Sequence, residues 1–492
     1  MKKLWQQRWL WLIIIFAFYL RLPLLTGSFW LDEAAQALES VRPFSQQLDI
    51  VPDFQPPLLH YVVHFAAQLS TTEWWLRLWG ALIPGLITIW LTYELGKKLF
   101  NEQVGVVSSL LLTTSSFHIF YSQELRPYSL PAMWGALSSW LLFQKKFTWW
   151  QFALVSLAGL YSSYLYPFLL IPQLWLLWQK HGRAVTTKIT AVTVALFAPW
   201  LPMFFQQLNA GQQVRVDLPG WETVVSLPQA KVLFLVPMKF IFGILNIELN
   251  WVYLLLTMAV LVSLVLAWHK YPTKWQRFWQ KFFKPKKNGR WQLLLLFIAP
   301  LVLSWLISFV VPVVRPKRLL YLMPFFYLLA SLPLASKQVP KKIAWLPVVL
   351  LLGINLYGTT QYWNSPQLQR ENWRDLKQEM VETLPQQETL AIMVFDEPFA
   401  PWRWYQPESV PTLAVSSSEL NEANELNALL RVVNDYRYVL VFDYLRDLSD
   451  PNNLLEPAIE SFGFQGIGVF DYPNIGFVRI YSRPGNALGY SL

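Results

Sequence analysis

The sequence predicts a polytopic α-helical membrane protein with a small C-terminal α/β domain. Hydrophobic residues make up 54% of the 492 residues and charged residues only 14%, which is too apolar for a soluble chain of this length. Apolar runs of about 20 residues, the length that crosses a bilayer, recur over most of the chain. From Gln361 onward the pattern becomes that of a soluble domain, so we predict two domains, 1–360 and 361–492.

About eleven apolar runs are predicted to cross the membrane. They are 9–26, 75–96, 104–122, 127–143, 149–164, 165–179, 189–205, 251–268, 291–311, 319–335 and 343–360. Near Pro167 and Pro172 the apolar stretch fits either two short spans or one broken span. The first run continues into "RLPLL" without a small-residue cleavage site, which indicates an anchor and not a cleaved signal peptide.

The basic residues define the predicted orientation of these spans. Lys and Arg outnumber Asp and Glu to give a net charge of +10, and they cluster in alternate connections. The clusters are Lys2, Lys3 and Arg8; Lys97 and Lys98; Lys145 and Lys146; Lys180 and Arg183; the segment 269–290; and Lys337, Lys341 and Lys342. Because cytoplasmic loops carry the excess of Lys and Arg, the opposite loops (27–74, 123–126, 206–250 and 312–318) and the tail face outward. The excess charge therefore reflects membrane topology and not nucleic-acid binding.

The tail after Gln361 is predicted to be a compact accessory domain. Strand-like runs "LAIMVF", "YRYVLVF" and "GFVRIYS" alternate with the helical stretches "SSSELNEANELNALLRVV" and "PNNLLEPAIESFG". It has no glycine-rich nucleotide loop and no nucleophile motif, so we expect it to recognise an acceptor or to cover a site. Four residues of "FDEPFAPWRWY" fit either a sugar-stacking edge or a helix start packed on a strand. They are Asp396, Glu397, Trp402 and Trp404.

Acidic residues stand out in the first two outward loops. Asp32 and Glu33 open the helix-like stretch "LDEAAQALESV", where acids in a first turn are also explained by the positive end of a helix. The same loop continues with "VPDFQPPLLHYVVHF", which contains His60. The next outward loop, "YSQELRPYSL", offers Glu124 and Arg126.

A basic cluster lies on the same predicted side, against the positive-inside bias. It consists of Arg315, Lys317 and Arg318 in "VVRPKRLLYL", at headgroup depth. Arg binds phosphate oxygens bidentately and Lys acts as a point charge, so the cluster suits a lipid phosphate or pyrophosphate; the alternative is ordinary snorkelling to anionic headgroups. Carboxylates and cations at one aqueous face are what transfer from a lipid phosphate to a hydroxyl requires, because a carboxylate takes the proton and cations stabilise the leaving phosphate.

Ordered segments of the chain resemble the C-type integral-membrane glycosyltransferases. They are "RLPLL" and "FWLDEAAQA", "PPLLHY", "WLRLWGALIPGLITIWLTYELGKKLF", "SSFHIFYSQELRPYSL", "APWLPMFFQQL", "RPKRLLYLMPFF" and "ENWRDLKQEM". The resemblance is to bacterial relatives of dolichyl-phosphate-mannose protein mannosyltransferase and of the lipid A aminoarabinose transferase. It implies a C-type glycosyltransferase fold in a bacterial inner membrane, with the catalytic face and the tail extracytoplasmic.

The resemblance also implies roles for individual residues. Asp32 falls at the position of the catalytic acid, with Glu33 beside it and Glu124 as a further carboxylate. The donor would be a polyprenyl-phosphate-linked sugar and the acceptor a glycan, lipid or protein. The residues placed near the donor are Arg126, Arg315, Lys317, Arg318, Tyr128 and His60. Two tyrosines in this region, Tyr128 and Tyr321, are also explained as interfacial aromatics.

Two further questions stay open at the level of sequence. His60 and His64 share a helix face, so the pattern is compatible with a divalent ion bound by acids and histidines. It is equally compatible with a divalent ion between Asp32 and the lipid phosphate. Because the sequence does not decide between these positions, we assign neither a metal nor any other cofactor. The rival function is a transporter or flippase of a lipid-linked sugar, which should show ionisable residues at mid-span and an internal repeat. A membrane-anchored binding protein would leave the basic cluster unexplained.

Overall fold

The computed structural model describes most of the chain. The described residues are 8–217, 229–245, 251–269, 289–311, 314–407, 409–416, 419–420 and 423–485. Lys2 and Lys3, nearly all of the basic segment 269–290, and parts of the predicted loops 206–250 and 312–318 lie outside these ranges. The chain divides into two compact units, residues 1–25 with 40–368, and residues 26–39 with 369–492.

Helices follow one another along residues 8–364. In chain order they are α1 Arg8–Tyr19, α2 Leu31–Val41, α3 Leu58–Ala67, α4 Glu73–Arg77, α5 Ile83–Leu99, α6 Glu102–Thr114, α7 Ser116–Tyr121, α8 Ser129–Leu142, α9 Trp149–Leu160, α10 Pro167–His181, α11 Arg183–Phe197, α12 Leu201–Asp217, α13 Gln229–Phe242, α14 Trp251–His269, α15 Gly289–Ile307, α16 Met323–Ser331 and α17 Lys341–Asn364. A π-helical turn over Leu78–Leu82 joins α4 to α5, and a 3₁₀ segment over Pro316–Leu322 precedes α16. Helix α2 lies almost entirely in the second unit.

Each predicted span coincides with one or more of these helices. Among the described residues, five helical stretches are long and apolar enough to cross a membrane: 73–99, 183–213, 289–307, 316–335 and 341–364. Shorter apolar helices cover 8–19, 58–67, 149–160 and 251–266. The helical membrane architecture is thus confirmed, while the number of eleven spans stays a prediction.

The structure adds detail at two places, the predicted loop 206–250 and the proline-interrupted stretch near Pro167. The predicted loop 206–250 contains the end of α12 and all of α13, whose run "QAKVLFLVPMKFIF" is too short to resemble a span. At the proline-interrupted stretch, α9 ends at Leu160 and α10 begins at Pro167, so there are two separate helices. Proline is well placed at a first helical position because it lacks the N–H that has no partner there.

Helices α5 and α6 approach each other through two glycines. A Cβ atom built on Gly96 would lie 2.7 Å from the Cα of Gly105, and one built on Gly105 would lie 2.6 Å from the carbonyl oxygen of Tyr93. Contacts that short with backbone cannot be relieved by turning a side chain. The close crossing therefore requires glycine at both positions, as in other tightly packed membrane helices.

We expect Gly105→Ala to destabilise the protein, because the new methyl group forces α5 and α6 apart and overpacks their interface, at a cost of about 2 kcal/mol. The control is Gly353→Ala in α17, where an added Cβ meets nothing within 4 Å. That change should leave stability unchanged or raise it slightly, since Ala is the better helix former. Thermal unfolding of both purified variants in detergent tests this; equal midpoints would contradict the packing argument.

The second unit contains a five-stranded mixed sheet. Its strands are β1 Thr389–Val394, β2 Thr412–Val415, β3 Tyr438–Phe442, β4 Gln465–Tyr472 and β5 Gly476–Ser482, in the order β2-β1-β3-β5-β4. Strands β2, β1 and β3 are parallel, and β5 pairs antiparallel with both β3 and β4. The helices are α18 Trp373–Thr383, α19 Ala400–Tyr405, α20 Ala423–Leu430, α21 Arg446–Ser449 and α22 Leu455–Ser461.

Apolar side chains cover both faces of this sheet. Along β1, Ala391 and Met393 belong to one core with Trp373 and Trp402, whereas Leu390 and Ile392 belong to a second core on the opposite face. A parallel strand buried on both faces reads as a continuous apolar run, which is why "LAIMVF" was recognisable. The three predicted strands and the helix in "PNNLLEPAIESFG" are confirmed, and β2 and β4 were missed.

Candidate functional site

The acidic helix α2 is held by residues from the start of the C-terminal domain. The Ser28 hydroxyl donates a hydrogen bond to the carbonyl oxygen of Glu371 (2.9 Å), and the Phe29 N–H donates to the Tyr405 hydroxyl (2.8 Å). The Phe29 ring also packs edge-on against Trp404, with centroids 5.6 Å apart. The segment that precedes Asp32 is therefore anchored before the helix begins.

Glu371 is a buried carboxyl within this anchor. Its Oε2 accepts a hydrogen bond from the Trp373 indole N–H and its Oε1 accepts one from the Tyr444 hydroxyl, each at 2.6 Å, and it also accepts from the Leu31 backbone N–H. Burial raises the pKa of Glu371 to about 7; the three donors oppose this shift and the nearby Asp32 carboxyl adds to it. The group thus changes charge near neutral pH, beside Asp32.

Glu33 pairs with Arg370, the residue that precedes Glu371. Its Oε2 lies 3.4 Å from Nε of Arg370, and the side chains are 0% and 6% exposed. Asp32, between Leu31 and Glu33, is only partly buried in the first turn of α2. Of the two neighbouring acids, Asp32 is therefore the more exposed.

A separate acid–base cluster lies in the first unit around Asp53. The His60 Nε2–H donates to Asp53 Oδ2 (2.8 Å), and Arg126 Nη1 lies 3.0 Å from Oδ1. The Gln55 amide also donates to this carboxylate. Burial alone would raise the pKa of Asp53, but the charge of Arg126 and the hydrogen bond from His60 outweigh it and hold the pKa below its usual value.

Asp53 and His60 are metal-ligating side chains in direct contact, so they bear on the question of a metal site. Both are already hydrogen-bonded to each other, and the guanidinium of Arg126 lies against the same carboxylate. A divalent ion bound to Asp53 would be repelled by this cation. Asp53, His60 and Arg126 thus form one charge network.

The loop that carries Glu124 and Arg126 is fixed by a buried arginine. Arg21 donates from Nε to the Ser122 hydroxyl (2.7 Å) and from Nη2 to His118 Nδ1 (2.8 Å), and its Nη1 donates to the carbonyl oxygens of Ala17 and Thr113. In return the Gln123 amide donates to the Arg21 carbonyl (2.7 Å). The end of α1 and the loop after α7 are thereby locked together.

The basic cluster begins the 3₁₀ segment that precedes α16. Arg315 is the residue before its first turn, and the Arg318 N–H donates to the Arg315 carbonyl oxygen (3.0 Å). The Lys317 ammonium lies 5.3 Å from the centre of the Tyr128 ring, a cation–π contact. The predicted outward loop 312–318 therefore meets the start of the predicted span 127–143 here, and all three cationic side chains are half-buried.

The structure separates the predicted site residues into groups. His60 joins Arg126 through Asp53, Tyr128 joins Lys317, and Glu33 pairs with Arg370. Glu124 is buried at 1% exposure. Tyr321 is also buried and donates to the Leu165 carbonyl oxygen (3.1 Å), so it supports the helices.

Some residues were missed by sequence reasoning, and one open alternative is decided for Trp402. Glu371 is the first residue of the segment "ENWRDLKQEM", but nothing in the sequence points to a role for its carboxyl or to Tyr444 as its partner. Trp402 is buried in the domain core with its indole N–H on the Thr412 hydroxyl (2.8 Å), which excludes it from a surface sugar-binding edge. The alternative of a helix packed on the sheet is the observed one.

Comparisons with known proteins agree with this fold. The family model described as dolichyl-phosphate-mannose-protein mannosyltransferase matches residues 54–203. No curated protein sequence matches the chain. The structure of ArnT from Cupriavidus metallidurans in the apo state matches with a TM-score of 0.56 at 11% identity, covering 96% of this chain and 97% of ArnT.

Two further solved structures contain lipid phosphates. ArnT from the same organism bound to undecaprenyl phosphate matches with a TM-score of 0.55 at 11% identity, over 99% of this chain and 100% of ArnT. The oligosaccharyltransferase AglB from Archaeoglobus fulgidus, in complex with an inhibitory peptide and a dolichol-phosphate, matches with a TM-score of 0.51 at 12% identity, over 99% and 75%. These matches confirm the resemblance to C-type glycosyltransferases and identify a multi-pass membrane protein with their fold.

We expect Asp53→Ala to reduce the free energy of unfolding by about 3 kcal/mol, because it removes the carboxylate that pairs with the buried Arg126 and His60 side chains. Adding Arg126→Met should restore part of the lost free energy of unfolding, since the double variant no longer contains the guanidinium that Asp53 compensated. Because the pKa of Asp53 is depressed, its contribution is present above the ordinary carboxyl pKa near 4 and is lost as pH falls through the lower folded value.

The matched control is Glu397→Ala. It breaks an ion pair in which the Glu397 side chain is 73% exposed and the Arg403 side chain is 45% exposed. Such exposed pairs contribute little. The free energy of unfolding is measured with denaturant in detergent for wild type, Asp53→Ala, the double variant and Glu397→Ala. Equal losses for Asp53→Ala and Glu397→Ala would contradict the stabilising role of the buried Asp53 network.

Proposed function

We propose that the protein is a membrane glycosyltransferase that moves a sugar from a polyprenyl-phosphate-linked donor to an acceptor hydroxyl on the extracytoplasmic face. The observation that supports this most is the match over nearly the whole chain to an ArnT structure that holds undecaprenyl phosphate. The match of residues 54–203 to the mannosyltransferase family model adds to it. The proposed setting is a bacterial inner membrane, with a glycan, lipid or protein as acceptor.

Asp32 is the proposed base of this reaction. The acceptor oxygen forms a bond to the anomeric carbon as the bond from that carbon to the phosphate oxygen breaks, and Asp32 takes the hydroxyl proton. The lipid phosphate leaves with the bonding electrons, so a single displacement inverts the anomeric centre. Asp32 is partly exposed, whereas Glu33 and Glu124 are 0% and 1% exposed, which supports Asp32 as the acid that meets the acceptor.

The basic cluster is the proposed holder of the lipid phosphate. Arg315, Lys317 and Arg318 lie within four residues, and Lys317 is oriented by the face of Tyr128. Charges that are already ordered stabilise a leaving phosphate without reorganising during the reaction. Arg126 already lies against Asp53, so in this proposal it supports the loop instead of binding the donor.

A transporter of lipid-linked sugars is the rival function, and Arg21 with His118 is the feature that favours it. Buried ionisable groups in a membrane domain often mark a pathway. Here Nε, Nη1 and Nη2 of Arg21 all donate hydrogen bonds to protein acceptors. A cation that donates to four protein acceptors suits a structural role, so the transferase is the function supported best.

The central test compares wild type with Asp32→Asn on a panel of radiolabelled polyprenyl-phosphate sugars. The isosteric change removes the base but keeps the shape, so turnover should fall by at least about a hundredfold while donor binding is unchanged. Asp49→Asn, an exposed acid of the same predicted loop, is the matched control and should turn over like wild type. Equal turnover by the Asp32 and Asp49 variants would remove Asp32 as the base.

The basic cluster is tested by Arg315→Gln and Arg318→Gln. Each should weaken binding of the lipid phosphate by about tenfold or more, because a charge-assisted bond to an oxygen of the phosphate is lost. The control is Lys341→Gln, an exposed lysine at a predicted cytoplasmic end. Affinity for undecaprenyl phosphate, measured by titration in detergent, should fall only for the two arginine variants; an unchanged affinity would rule out the cluster as the holder.

A further inference from the structure

Two adjacent residues of the C-terminal domain hold both neighbours of Asp32. The Glu371 carboxyl accepts the backbone N–H of Leu31, and Arg370 pairs with the Glu33 carboxylate at 3.4 Å. These contacts lie in one compact unit, which contains residues 26–39 and 369–492. The backbone on either side of Asp32 is thus tied to a single dipeptide.

The contact with Leu31 has a specific physical effect on the helix. The first N–H groups of a helix have no partner inside it, and Leu31 is the first residue of α2. A carboxylate at this end satisfies one of those groups and interacts favourably with the helix dipole. Glu371 is itself fixed by Trp373 and Tyr444, so it is a rigid cap supplied from a distant part of the sequence.

We propose that Arg370 and Glu371 form the positioning element for Asp32, so that the C-terminal domain is part of the catalytic machinery and is not limited to acceptor recognition. This inference rests on the proposed transferase function. The two residues act through α2 and contact neither donor nor acceptor in this proposal. A displacement of Asp32 by about 1 Å would be enough to slow the reaction about a hundredfold.

Glu371 also gives the positioning element a dependence on pH. The ionisable groups around it in the described part of this unit are Asp32 and Tyr444, while Arg370 is bound to Glu33 and Arg374 donates to the Thr26 carbonyl oxygen. Because the pKa of Glu371 is raised to about 7, the ionised form that caps α2 best is lost as pH falls below 7.

The test compares Glu371→Gln with Glu379→Gln, since Glu379 likewise accepts a hydrogen bond from a tyrosine, Tyr472, in the same unit. The Glu371 variant should lose about tenfold to a hundredfold in kcat with an unchanged donor KM. Wild-type kcat should rise between about pH 6 and pH 8, and the rise should be absent in Glu371→Gln. Glu379→Gln should match wild type in all three respects.

A second readout does not depend on activity. Hydrogen exchange of the backbone amides of residues 31–35 should become faster in Glu371→Gln and stay unchanged in Glu379→Gln. If Glu371→Gln does not fold, Tyr444→Phe removes one donor to the same carboxyl and should reproduce a smaller loss of kcat and faster exchange.

The outcomes separate this inference from the proposed function. If wild type turns over a donor but Glu371→Gln keeps the same kcat, pH profile and exchange, the positioning role is wrong. If wild type turns over no donor, the transferase proposal fails, and the exchange measurement alone decides whether Glu371 holds α2. A parallel rise of KM and fall of kcat in both glutamate variants would indicate general destabilisation and overturn the inference.

Discussion

Charged side chains that leave water in this apolar chain have partners, and the described structure depends on that constraint. Removing a charge from water costs several kcal/mol unless hydrogen bonds or an opposite charge compensate. Arg21 donates to four protein acceptors, Asp53 lies between His60 and Arg126, and Glu371 accepts from three donors. Each of these networks ties together segments that are far apart in sequence.

The same constraint explains how a loop can carry a chemical site. Loops usually move more than the helices they connect, yet residues 122–128 are fixed through Gln123 and Ser122, and residues 28–33 through Arg370 and Glu371. Asp32 remains partly exposed within the segment 28–33. For the proposed transferase, a preorganised base with access to solvent is what transfer to an incoming hydroxyl needs.

The sequence predicted the parts of the fold that depend on local pattern. Long apolar runs located the helices, and the buried strands β1, β3 and β5 were visible as short apolar runs. It could not predict that α2 would lie in the same unit as the tail, because this follows from contacts across more than 300 residues, such as Ser28 to Glu371. Tyr444 was missed for the same reason. The sequence left Trp402 between two alternatives, because an aromatic near polar residues fits either a surface or a core.

The most direct test of the transferase account follows the lipid product in proteoliposomes that contain the protein, a labelled polyprenyl-phosphate sugar and, in separate samples, a glycan, lipid or protein acceptor. Chromatography of the extracted lipids separates free polyprenyl phosphate from the intact donor. The account predicts that free polyprenyl phosphate appears together with a glycosylated acceptor and in equal amount. Movement of intact donor between leaflets, without release of polyprenyl phosphate, would contradict the account and identify a transporter.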